Sequence, residues 1–289
     1  MTATLLDDPL VTAEDRERLA RDGFVVIRGV LPASLIEACK QALSDLMCGR
    51  IERRSTNLYY EAGQQVEGLD PAALELKVRR LDSFCDAAPA LSAAAHSRRL
   101  HAVLDVLTGP GRTLFQEMAL VKPPAIGGAK PWHQDAAYFL VDDPAQVVGT
   151  WTALDPATLD NGCMQFIAGS HREGPVPHVQ ESLASCFIRP DRLSKRPVTA
   201  LPMDPGDTVV FHGLVQHFTD DNRSPTRRRA LQFHYATEQA RWTGLDAHER
   251  LYADEKRAYA GCVTPAYGEA AMRILRGEAR MDVVPVDWA

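Results

Sequence analysis

The chain has 289 residues, 45% hydrophobic and 24% charged, with a formal net charge of −6. That length and composition suit one large soluble domain with a sizeable core. The acidic balance argues against nucleic acid or an anionic membrane as partner, and no run of about 18 apolar residues offers a membrane span. The N-terminus lacks the basic start and apolar core of a signal peptide. Six cysteines, at 39, 48, 85, 163, 186 and 262, include no Cys-x-x-Cys pair and read as reduced, mostly buried thiols of a cytoplasmic protein. Asn222-Arg223-Ser224 matches a glycosylation sequon, which means nothing without secretion.

No internal repeat, low-complexity stretch or long linker interrupts the chain, so residues 1–289 read as a single domain. Thr12 with Asp15 has the form of a capping box opening a short helix, which Gly23 ends. Phe24 to Arg28 reads as a strand. Pro32 starts a second helix whose apolar stripe, Ile36, Cys39, Leu43 and Met47, follows the 3.6-residue period. Segment 55–70, with Tyr59, Tyr60, Gln64 and Gln65, is either a lid or a plain surface loop. Residues 71–81 and 89–108 read as helices, the latter ending near Gly109-Pro110-Gly111. Their Lys77, Arg79, Arg80, Arg98 and Arg99 read as solvated helix faces.

After residue 112 short apolar segments alternate with turn residues, and strands are expected at 113–122, 148–154, 163–168, 208–212 and 229–236. Helices followed by many short strands predict a mainly β, α+β chain, with an antiparallel core over residues 112–240 and helices packed on one side. The polar tail beyond residue 240 predicts partial helix and little else.

Of nine histidines, two local contexts carry chemistry. In Pro131-Trp132-His133-Gln134-Asp135, residues two apart on an extended segment project to one side, so His133 and Asp135 can reach one metal ion. In Gly206-Asp207-Thr208-Val209-Val210-Phe211-His212-Gly213-Leu214-Val215-Gln216-His217, a turn and a β-rich run return His217 as a third ligand from a distant part of the sheet. Two neutral imidazoles and one carboxylate are the facial set of non-haem iron(II) oxygenases, which leaves positions open for a chelating 2-oxo acid and for dioxygen. Alone, His-x-Asp is a weak signal, since a histidine bracing a strand is the bland reading. Eleven residues after His217 stands Arg228, whose guanidinium offers a two-pronged grip on the distal carboxylate of 2-oxoglutarate. The bland reading of Arg227-Arg228-Arg229 is a solvated basic turn, but alternation along a strand turns Arg228 inward, where it needs a carboxylate partner.

Taken in order, these segments resemble the phytanoyl-CoA dioxygenase family of 2-oxoglutarate-dependent oxygenases. The resemblance rests on Gly23-Phe24-Val25-Val26, Trp132-His133-Gln134-Asp135, Trp151-Thr152-Ala153-Leu154, Asn161-Gly162-Cys163-Met164, Gly169-Ser170-His171, Pro205-Gly206-Asp207, Phe211-His212, His217 and Asn222 through Arg228. It implies a double-stranded β-helix, a jelly-roll or cupin-like barrel with flanking N-terminal helices and the metal at the barrel mouth. It implies His133, Asp135 and His217 as iron ligands, Arg228 as the 2-oxoglutarate arginine, and Gln116 near the co-substrate. Trp151 matches a pocket tryptophan, with a core aromatic as its bland alternative. Many relatives have Pro-Gly-Ser-His where this chain has Ala168-Gly169-Ser170-His171. His171, His212 and His234 read as structural, and His178 as a substrate contact.

The activity implied is oxidation of a small-molecule substrate with iron(II), 2-oxoglutarate and dioxygen, releasing succinate and carbon dioxide, with hydroxylation of an unactivated C–H bond as the expected outcome and desaturation, ring formation and epoxidation left open. Asp135 argues against a halogenase, which needs that position for halide. An acyl-CoA hydroxylase, a non-catalytic cupin-like binding module and a zinc hydrolase are rival readings. A nucleic-acid demethylase conflicts with the acidic balance. Substrate identity and oligomeric state are not readable.

Overall fold

The computed structural model describes residues 10–180, 186–241, 243–253 and 262. Its helices are α1 (Ala13–Asp22), α2 (Ala33–Met47), α3 (Pro71–Glu75), α4 (Pro89–Ala95), α5 (Arg98–Thr108) and α6 (Leu245–Tyr252). Its strands are β1 (Phe24–Ile27), β2 (Asn57–Tyr60), β3 (Val78–Asp82), β4 (Arg112–Lys122), β5 (Lys130–His133), β6 (Val147–Ala153), β7 (Met164–Ile167), β8 (His178–Gln180), β9 (Cys186–Ile188), β10 (Val198–Leu201), β11 (Thr208–His212), β12 (His217–Thr219) and β13 (Arg228–Thr237). A seven-stranded sheet runs β1-β11-β6-β13-β4-β3-β2 and a four-stranded sheet β10-β7-β12-β5, with β8-β9 as a separate hairpin. Every paired neighbour is antiparallel. This is the two-sheet jelly-roll expected of the mainly β, double-stranded β-helix class.

Strand β13 organises the core. Its alternate residues Leu231, Phe233 and Tyr235 pack into the apolar cluster shared with α2, α4 and α5, while Arg228, Ala230, Gln232 and His234 face the interior between the sheets. There Ala230 joins Trp151, Phe166, Val209 and Phe211 in a second cluster. The stripe Ile36, Cys39, Leu43 and Met47 is buried against the first cluster. The Thr12–Asp15 capping box and the left-handed Gly23 (φ 85°) that ends α1 are both present.

Several expectations change. Helix 71–81 stops at Glu75, and Val78–Asp82 instead adds β3 to the edge of β4. Burial of Val78 and Leu81 under the helices overrides local helix propensity. Arg79 and Arg80 therefore do not sit on a solvated helix face. The helix expected over 89–108 breaks at His96-Ser97, where the Ser97 hydroxyl caps the Leu100 amide of α5. Within segment 55–70, β2 pairs with β3 as the outermost strand. The six cysteines are not all reduced thiols: Cys186 and Cys262 form a disulfide with a Cα–Cα distance of 5.7 Å, while Cys39, Cys48, Cys85 and Cys163 are free. No spacing rule finds this pair, because 76 residues separate its members; β9 and the later segment meet where the Cys262 amide donates to the Ala137 carbonyl. Asn222 of the sequon is buried and donates to the carbonyls of Lys122, Pro123 and Thr226, so its amide serves the fold. Most of the polar tail lies outside the described residues; α6 is a helix within its described part. No helix among the described residues is long and apolar enough to cross a membrane.

Glu117 points from β4 into the helix layer, 7% exposed, where its carboxylate accepts from the Cys85 amide. Burial, reinforced by Asp82 and Asp86, raises its pKa from 4.5 to about 7 despite that hydrogen bond. The folded state thus holds this proton more tightly than the unfolded chain, so stability falls as pH rises from 4.5 through 7. Glu117→Gln should remove this loss, on the order of 3 kcal/mol between pH 5 and 8. Urea unfolding midpoints with the same pH slope in both proteins would contradict it.

Candidate metal and co-substrate site

Strands β5 and β12 pair so that His133 and His217 are direct cross-strand partners. Their rings lie 4.1 Å apart between centroids. Asp135 opens a 3-10 turn just beyond β5 and places Oδ1 3.2 Å from His133 Nε2 and 3.5 Å from His217 Nε2. One donor atom from each of the three converges within 4.8 Å, and all three residues are buried. Among the described residues this is the one such group.

The surrounding hydrogen bonds fix how these atoms face. His133 Nδ1 meets the Pro131 carbonyl at 2.7 Å, and His217 Nδ1 meets the Val215 carbonyl at 3.1 Å. A carbonyl only accepts, so each Nδ1 carries the proton and each Nε2 presents a lone pair. Burial, with each other's proximity, lowers the His133 pKa to about 3, and burial lowers that of His217 as well. Both rings are therefore neutral, as metal binding requires. The Asp135 carboxyl is buried too, which alone would raise its pKa; the hydrogen bond from His234 works against that, and the carboxyl is held well below the usual range. Its outer oxygen, Oδ2, is held by Gln232 Nε2 at 3.0 Å and His234 Nε2 at 2.8 Å, leaving Oδ1 toward the imidazoles. Sequence reading placed His234 as structural and passed over Gln232. The missed signal is the two-residue period of β13, which puts both on the face that carries Arg228.

Gln134 braces the same turn. Its amide donates to the Gly174 and Leu214 carbonyls, and its oxygen accepts from the Val176 amide. His178, expected to contact substrate, is instead 1% exposed: its Nε2 accepts from the Gln134 amide and its Nδ1 meets the Val176 carbonyl. With both nitrogens engaged by backbone, it supports the ligand loop and has none left for substrate.

The three consecutive arginines divide sharply. Arg227 pairs with Glu75. Arg229 makes a two-pronged ion pair with Asp155, at 2.8 Å from both Nε and Nη2. Arg228 is 2% exposed, has no acidic partner among the described residues, and makes one long hydrogen bond, 3.4 Å to the Gly162 carbonyl. Its Nε is left without a partner, and its guanidinium lies 5.1 Å from the Trp151 ring centroid. Burial pushes its pKa down to about 10, still charged at neutral pH. Trp151 was expected to line the substrate pocket; it is fully buried, and its Nε1 also lacks a partner. Buried polar groups are normally satisfied, so two orphaned N–H donors at Arg228 and Trp151 fit a carboxylate ligand. Gly162 holds φ +79° against the Asp220 carbonyl, where an added Cβ would lie 2.3 Å away. Gln116 sits on β4 opposite His234, buried, with its side-chain oxygen unpaired. Between Arg228 and Gln232 on the same face only the methyl of Ala230 intervenes.

This fold with this three-donor cluster defines the class of 2-oxoglutarate-dependent non-haem iron oxygenases. The phytanoyl-CoA dioxygenase (PhyH) family model matches residues 19–230. The chain belongs to that family. It is 24% identical over 239 residues to a probable phytanoyl-CoA dioxygenase of Caenorhabditis elegans, covering 79% of this chain and 76% of that one. It is 25% identical over 240 residues to the human peroxisomal phytanoyl-CoA dioxygenase, covering 80% and 70%. Among solved structures, EvdO2 from Micromonospora carbonacea var. aurantiaca complexed with 2-oxoglutarate matches with a TM-score of 0.64 at 23% identity, over 86% of this chain and 97% of that one.

Gln232→Leu removes one donor from Asp135 Oδ2 while keeping the side chain's bulk. Iron(II) affinity, measured by anaerobic titration, should drop about tenfold to a hundredfold. Unchanged affinity would show that the outer oxygen needs no such anchor.

Proposed function

We propose that this protein is a 2-oxoglutarate-dependent iron(II) dioxygenase that hydroxylates an unactivated C–H bond of a small-molecule metabolite. The observation that carries the reading is the division of labour among the arginines: Arg227 and Arg229 have their own carboxylates, and buried Arg228 has none among the described residues. The three-donor cluster and the family membership support the same chemistry. A non-catalytic binding module would have no reason to retain both.

His133, Asp135 and His217 would hold iron(II). Bound there with 2-oxoglutarate and dioxygen, the metal supplies the oxidising power for C–H cleavage. The chain's own work is positional. Arg228 would grip the distal carboxylate of 2-oxoglutarate, with Trp151 Nε1 as a second donor and Gln116 beside the metal end. Gln232 and His234 keep Asp135 aimed at the metal. The apolar cluster of Phe166, Phe211 and Trp151 between the sheets keeps water away. EctD from S. alaskensis, a structure of the same fold at 18% identity, has been solved with bound Fe, which supports iron as the metal here.

Succinate release with iron(II), 2-oxoglutarate and oxygen tests the reading, with acyl-CoA thioesters, their free acids and other small metabolites as candidate substrates. Stimulation only by thioesters would replace the free-metabolite reading with acyl-CoA hydroxylation. Arg228→Ala should weaken 2-oxoglutarate binding at least tenfold more than iron binding, since it removes a charge-assisted grip on the co-substrate alone; equal effects would sink its role. His217→Ala should lose most iron affinity, and retention of full affinity would remove it from the ligand set.

A further inference from the structure

Strand β5 carries an irregularity whose consequence is chemical. His217 pairs with His133, and Thr219 with Lys130. The step is two residues on β12 and three on β5, so β5 holds one extra residue. On a regular strand Lys130 would face away from His133; the bulge returns it to the same face. The opposite face is occupied by Trp132, stacked on Phe218 with centroids 5.3 Å apart.

Lys130 is half-buried, and its ammonium donates to the Tyr138 hydroxyl at 2.6 Å, with Nζ 5.0 Å from that ring's centroid. Tyr138 stands edge-on to His133, centroids 6.1 Å apart, and its hydroxyl donates to the Cys186 carbonyl at 3.4 Å. Among the described residues Lys130 has no acidic partner within ion-pair distance. The acids of the surrounding segments have other partners: Glu61 pairs with Arg79 at 2.9 Å, Asp221 accepts from the Ala129 amide at 2.7 Å, and Asp135 accepts from Gln232 and His234. Arg79 also donates to the Ala129 carbonyl, one residue from Lys130. Burial, then Arg79, lowers the Lys130 pKa to about 7, with Asp135 opposing. An ammonium partly withdrawn from water and met only by a phenol is poorly compensated.

We propose that Lys130, braced by Tyr138, is a specificity-determining residue that binds an anionic group, a carboxylate or phosphate, of the substrate oxidised at the metal site. This rests on the function proposed above, and it is separate from Arg228, which lies on another strand and serves the co-substrate. The anionic group docks at β5 while the carbon to be oxidised faces the cluster of His133, Asp135 and His217.

The test uses the full chain loaded without oxygen with iron(II) and 2-oxoglutarate. Failure to form the visible absorption band of that complex would count against the functional reading and leave this one aside. With the band present, succinate release in air is measured for matched probes: carboxylic acids against their methyl esters, and phosphate monoesters against their alcohols. Anionic members should stimulate at least tenfold more in kcat/KM than their neutral counterparts, and the arm that does so identifies the anion. Lys130→Met should retain the absorption band and raise KM for the anionic stimulator about tenfold to a hundredfold, the loss of one charge-assisted hydrogen bond, with a smaller effect on kcat. Lys130→Arg should restore part of it. Tyr138→Phe, which preserves the ring but frees the ammonium, should raise KM less. Neutral probes that stimulate equally, no anionic stimulator, or an unchanged KM in both Lys130→Met and Tyr138→Phe would overturn the proposal.

Discussion

The Asp135 carboxylate is the hinge of the structure. It is a buried charge that two imidazoles approach from one side and two β13 side chains from the other. A carboxylate in that setting is costly unless every lone pair is used. Gln232 and His234 satisfy Oδ2, and Oδ1 is left among neutral nitrogens that themselves hold no proton to offer it. A cation at that point satisfies all three donors at once. The jelly-roll exists, in functional terms, to bring the β5 turn, the start of β12 and the middle of β13 to this one place from residues about a hundred positions apart.

The same strand links that centre to Arg228, the proposed grip on the co-substrate. On β13 the inward face runs from Arg228 through Ala230 to Gln232 and His234, while the outward face, Leu231, Phe233 and Tyr235, anchors the strand in the helix layer. Packing on one face therefore sets chemistry on the other. Phe211 shows the coupling from a different direction: it packs 5.2 Å from the His217 ring and fills the space above Gly149, where an added Cβ would lie 2.3 Å from it. A glycine there is a requirement of the metal site as much as of the sheet.

Much of this was legible in the sequence, for physical reasons. Apolar strands such as 113–122 and 229–236 announce themselves because both faces are buried. His133, Asp135 and His217 stand out because donor types and spacing suit one ion, and Arg228 because alternation turns it inward. What escaped depends on tertiary pairing. Strand β3 looks helical until β4 offers its edge. Gln232 is an ordinary strand residue until Asp135 folds against it. His178 looks available until the Gln134 and Val176 backbone claims both nitrogens, and the Cys186–Cys262 pair is set by where two distant segments meet. The bulge that turns Lys130 toward the site leaves no mark in composition.

The central claim is that one ion and one dicarboxylate occupy a site prepared by neutral imidazoles and by an arginine with no carboxylate partner among the described residues. A crystal structure of the protein prepared anaerobically with iron(II) and 2-oxoglutarate, with anomalous scattering recorded at the iron edge, tests it most directly. The account predicts a single anomalous peak ligated by His133 Nε2, Asp135 Oδ1 and His217 Nε2, with the distal carboxylate against Arg228. A peak elsewhere, or a carboxylate remote from Arg228, would contradict it.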